Sequence, residues 1–114
     1  MIHELDKVDF TGLDEVDSSK LILAVSDHLD WQFEKEHLLL LQEKLNNYVN
    51  FILNEEYKDI YKENIHCFRI LIFLQYPPRK KFEKLLSHFR KALAKQVPDV
   101  PIEIDYQFAV NEDS

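Results

Sequence analysis

The chain reads as a two-layer α+β domain of order β-β-α-β-α-β, a four-stranded sheet with two helices packed on one face. Three patterns predict it. Residues 67–76 are almost continuously apolar and aromatic, as a strand with both faces covered would be. Leu38, Leu41, Leu45, Tyr48, Val49 and Ile52 recur at spacings of three and four, which is the period of an amphipathic helix. Residues 102–108 alternate apolar and polar, the pattern of a half-buried strand.

Taken in order, residues 8–10 and 20–26 read as short strands of a hairpin, separated by the turn-favouring Gly12, Asp14, Asp17, Ser18 and Ser19. Asp27-His28-Leu29-Asp30 then supplies capping chemistry. Asp30 is placed as the N-cap of a long helix running to about Asn54, with Glu34 and Glu36 near its positive end. A polar connection carrying Glu55, Glu56, Lys58 and Asp59 leads to the apolar strand, which Pro77-Pro78 ends. Residues 79–96 form a second amphipathic helix. It buries Phe82, Leu85, Leu86, Phe89 and Leu93 and leaves Lys80, Lys84, His88, Lys91 and Lys95 on the opposite side. Pro98 and Pro101 close it before the last strand. The helical connections act as right-handed crossovers. In the third strand Leu71 and Phe73 face away from Ile70, Ile72 and Leu74, so the reverse face of the sheet carries apolar side chains that ask for cover.

A chain of 114 residues with 46% apolar content, eight Phe, five Tyr and one Trp is expected to build one core. Residues 1–114 are read as a single domain, with 1–7 and 110–114 expected to be disordered. The single cysteine, Cys67, and the lack of a leader pattern in residues 1–11 predict a cytoplasmic protein. No apolar run approaches the roughly 20 residues that span a bilayer, so no membrane insertion is expected. With 21 acids against 14 bases the net charge is −7, which disfavours nucleic acid as a partner. The charge is uneven: residues 79–95 hold seven bases and one acid, leaving about +6 there and about −13 elsewhere. That basic helix is either a solvated face or a contact for an acidic protein surface, another copy included.

Gly12 is the only glycine, which rules out the dinucleotide fingerprint, the Walker A loop and the nucleophile elbow. His66 and Cys67 are strand neighbours pointing to opposite faces, so they form no nucleophile–base pair. Asp27, His28, Asp30, Glu34 and His37 cluster within eleven residues, and Glu34-x-x-His37 places two potential ligands on one helical face. H-E-x-x-H does not occur, and no metal, cofactor or catalytic residue is assigned. The structural reading of the cluster is helix capping by Asp30, with His28 and Trp31 packed about the helix entry. Its functional reading is a polar ligand site of Asp27, His28, Asp30 and His37. Gln42 joins that site as a candidate, because it projects between Val49 and Leu53 inside the apolar arc, where a buried amide must find partners. Leu40 and Phe51 form a second apolar patch on the far side of the helix, as an interface or as packing under a loop.

The run Ser26-Asp27-His28-Leu29-Asp30-Trp31, followed by residues 36–48 (E-H-L-L-L-L-Q-E-K-L-N-N-Y), resembles the signature of a bacterial family of small domains of unknown function. The likeness extends from Val8-Asp9-Phe10 through Tyr76-Pro77-Pro78. It implies a bacterial origin and no particular activity.

Two function classes follow. The first is a non-catalytic protein-binding domain, homodimeric through Leu71 and Phe73; one version of it is an acidic inhibitor or immunity protein covering a basic toxin or nuclease. The second is a small enzyme or ligand-binding protein with its polar site at the junction of strand 2 and helix 1.

Overall fold

The computed structural model describes residue 2 and residues 8–108. The expectation of disorder in 1–7 and 110–114 falls outside those residues, apart from Ile2, which is fully buried in the core and donates its N–H to the Ser26 carbonyl at 3.2 Å. Four strands and two long helices form in the predicted order: β1 (Phe10–Leu13), β2 (Lys20–Asp27), α1 (Glu34–Leu53), a 3-10 turn (Glu56–Asp59), β3 (Cys67–Leu74), α2 (Lys80–Gln96) and β4 (Ile102–Phe108).

The sheet order is sequential, β1-β2-β3-β4. The β1–β2 pair is antiparallel, as a hairpin requires, whereas β2–β3 and β3–β4 are parallel. Two right-handed crossovers that each step one strand in the same direction must lay both helices on the same side. That side is the core. Leu21, Leu23 and Val25 of β2, Ile70 and Ile72 of β3 and Ile104 of β4 meet Leu41, Leu45, Tyr48 and Ile52 of α1 and Phe82 and Leu86 of α2. Each such side chain removed from water contributes about 1.5–3 kcal/mol before the entropy of ordering it is set against the gain.

Three boundaries differ from the sequence reading, each for a tertiary reason. The first strand occupies Phe10–Leu13 rather than 8–10, because the ladder gives way to side chains before Phe10: the Asp9 N–H goes to the Tyr48 hydroxyl at 2.8 Å, and the Asp9 carboxylate takes the Ser26 N–H at 3.0 Å. Helix α1 begins at Glu34, one turn after the expected cap. Its N-cap residue is Phe33, and the Asp30 carboxylate bonds the Gln32 N–H at 3.0 Å in a local turn instead. Strand β3 stops at Leu74, where the next residue, Gln75, donates its N–H to the Asp27 carbonyl at 3.0 Å.

Candidate functional site

The junction of β2 and α1 brings two of the four polar candidates into direct contact. Asp27, the last residue of β2, and His37, one turn into α1, are both buried, and Nε2 of His37 lies 2.5 Å from Oδ2 of Asp27. The other ring nitrogen, Nδ1, lies 3.0 Å from the Asp30 carbonyl. A carbonyl only accepts, so Nδ1 is the donor to it, and Nε2 faces the Asp27 carboxylate. Oδ1 of Asp27 takes the Leu29 N–H at 3.1 Å. Trp31 stacks on the imidazole at a centroid distance of 4.0 Å and anchors its own indole N–H on the Pro77 carbonyl at 2.7 Å. His28 is half-buried and Asp30 exposed in the loop between.

This arrangement sets what the pair can do. A histidine acting as general base needs one ring nitrogen facing a substrate. Both nitrogens of His37 face protein acceptors. The pair therefore ties the carboxyl end of β2 to the first turn of α1, with the Trp31 ring as its roof. Among the described residues no group of three or more His, Cys, Asp or Glu is placed to hold a metal ion.

A second polar cluster, which the sequence reading did not single out, lies further along α1. Lys44 has none of its side chain exposed; its ammonium sits 2.9 Å from Oδ1 of Asp9 and 5.5 Å from the centroid of the Tyr48 ring. Tyr48 donates its hydroxyl to the Ala24 carbonyl at 2.6 Å while accepting from Asp9, so it bridges the two strands where their ladder ends. Burial holds the Tyr48 phenol well above its ordinary pKa. Burial also pushes the Asp9 carboxyl up, but the donors around it, Lys44 and the Ser26 N–H among them, leave it below its ordinary value. At about 100° per residue His37 and Lys44 fall beside Leu41 and Tyr48 on the helix wheel. That placement was the available signal.

The reverse face of the sheet is uncovered by either helix. Phe73 of β3 is 42% exposed and Phe10 of β1 is 64% exposed, whereas Leu71, between Ala24 and Asp105 in the strand register, is only 8% exposed. On the β4 side the face is polar, with Arg69 Nε 3.1 Å from Asp105 Oδ2 and Lys20 3.5 Å from Glu103. Cys67 shares this face, half-buried, and burial raises its thiol pKa.

A family model described as Family of unknown function (DUF6572) matches residues 1–112. This chain belongs to DUF6572. The match agrees with the resemblance to a family of unknown function read from the sequence. No curated protein and no solved structure matches the chain.

In this DUF6572 member the other candidate residues of α1 lie away from the junction. Gln42 is not a buried amide: it is exposed. The buried arc of α1 is turned toward His37 and Lys44, so Val49 marks its edge and Leu53, beyond Gln42, is 42% exposed. The polar contacts with Asp27 and Asp9 draw the helix round by that amount, which an apolar count alone does not register. Leu40 and Phe51 are half-buried and pack against the flank of the core. Among the described residues no helix is long and apolar enough to cross a membrane.

Proposed function

We propose that this protein is a non-catalytic binding domain that pairs with a second copy of itself through the open face of its sheet. The supporting observation is that face: Phe10 stands in solvent beside the buried Ala24, and Phe73 stands in solvent next to the buried Leu71 along β3, on the one surface of the sheet that α1 and α2 leave bare. Apolar side chains grouped in this way on a sheet favour association, and the same patch on two copies closes a two-fold dimer without further growth. The neighbouring charges favour it too. Arg69 with Asp105 and Lys20 with Glu103 are paired within the chain, so the face reaches a partner with its charges balanced. The free Cys67 accords with a reducing, cytoplasmic setting. Asp27 and His37 at the β2–α1 junction are bonded to each other, which favours binding over chemistry there.

Light scattering over a concentration series tests the reading. The wild-type chain should show the mass of a dimer, and Phe73→Glu should shift it to the monomer with an unchanged circular dichroism spectrum. A wild-type chain that stays monomeric at high concentration overturns the proposal.

A further inference from the structure

On the outer side of the helical layer a groove of about 550 Å³ runs between α1 and α2. Its α1 wall carries Gln42, Asn46 and Asn50. These recur every four residues, so the three amides stand in one row, about 6 Å apart along the helix. All three are exposed, and none makes a side-chain hydrogen bond among the described residues. A side-chain amide offers a carbonyl acceptor and an N–H donor side by side, the same pair a peptide group offers. A row of them at this spacing suits the backbone of an extended segment, in which groups facing one way repeat about every 6.6–6.8 Å.

The floor and the far rim define what that segment carries. Val49 and Leu93, each 9% exposed, and the half-buried Phe89 give an apolar floor. On α2, at about 100° per residue, Lys84, His88 and Lys95 fall in one exposed strip beside Ala92 of the groove wall. The only acid of α2, Glu83, is turned to the opposite side, where it accepts the Tyr106 hydroxyl at 3.0 Å. The α2 rim is therefore basic, and the amide row that lines the α1 wall is uncharged, with Glu43 beyond it on the side away from the groove. We propose that this groove binds an extended peptide segment of a partner protein in which Asp or Glu alternates with apolar residues. The backbone lies along the amide row, apolar side chains enter between Val49 and Phe89, and carboxylates meet the lysine rim. The groove lies on the opposite layer from the sheet face of the dimer, so the two surfaces work independently.

The test uses the full chain and a synthetic peptide alternating Glu and Val, with a Lys–Val peptide as control, read by the side-chain NH2 resonances of Gln42, Asn46 and Asn50. These three pairs should move on titration with the acidic peptide and stay put with the basic one. Asn46→Ala with Asn50→Ala should weaken binding about tenfold, the loss of two modest hydrogen bonds. Lys84→Glu should weaken it as well. All of these positions are exposed, so the variants should keep the wild-type circular dichroism spectrum. Phe73→Glu should bind the peptide as the wild type does, whatever its mass. Unmoved amide resonances at the highest peptide concentration overturn the proposal, as does equal binding of the Lys–Val peptide. So does a groove variant that alters the mass of the protein without altering peptide binding, because the groove would then be a self-contact.

Discussion

At position 44 a lysine lies inside the apolar arc of α1 with its ammonium against the Asp9 carboxylate. Moving two charges out of water costs several kcal/mol for each, and only a close pair with further hydrogen bonds offsets that. Removing one partner should therefore hurt more than removing both. We expect Asp9→Ala to lose about 3 kcal/mol or more, and the double variant with Lys44→Met to lose clearly less than the sum of the two single changes. Urea unfolding of the four proteins measures this. The same pair shapes the acid limb of stability. The Asp9 carboxyl is held below its ordinary value of 3.8, so as pH falls the unfolded chain takes up the proton first. Its stabilisation is complete above about pH 4 and is lost as pH drops through the lower folded value. Urea midpoints measured downward from pH 5 should fall more steeply for the wild type than for Asp9→Ala.

Among the elements, β4 shows how an edge strand is managed. The Arg90 guanidinium reaches from α2 to the Ile104 carbonyl, with Nε at 2.8 Å and Nη2 also bonded, and stands 3.5 Å from Asp105. A carbonyl that accepts from α2 is closed to a passing strand, which protects the edge. Arg90→Ala should cost about 1–2 kcal/mol, discounted because the side chain is 46% exposed, and should speed amide exchange in β4 while leaving β2 unchanged. Equal exchange in both strands would show that Arg90 guards nothing. Helix α1 was legible as an element but not in its rotation. Leu41, Leu45, Tyr48 and Ile52 announce the buried side, yet the choice between Gln42 on one flank and Lys44 on the other depended on which flank would meet a carboxylate. Asp9 lies 35 residues from Lys44 in sequence and reaches it only through the fold.

For the molecule as a whole, the uneven charge separates the two surfaces by their response to salt. The sheet face is apolar with internally paired charges, whereas the groove rim carries the ammonium groups of Lys84 and Lys95. Raising ionic strength shortens the Debye length from about 10 Å at 0.1 M to about 3 Å at 1 M. Dimer mass should hold across that range, and the affinity for an acidic peptide should drop. Light scattering and fluorescence anisotropy on the same samples measure both. A dimer that dissociates in salt would move the contact from Phe10 and Phe73 to the charged surfaces.

The order and kind of the elements, the apolar centre of β3 and the bare side of the sheet carrying Phe73 were all determined by the sequence alone, because periodicity and turn residues act over a few positions. The tertiary structure decided what depended on distant partners. It set the sequential strand order, the late start of α1, the union of Asp27 with His37 and the burial of Lys44 against Asp9. It also turned Gln42 outward into a row with Asn46 and Asn50. The physical reason is the same in each case: a polar group inside a protein is placed by the partner that satisfies it, and that partner comes from another part of the chain.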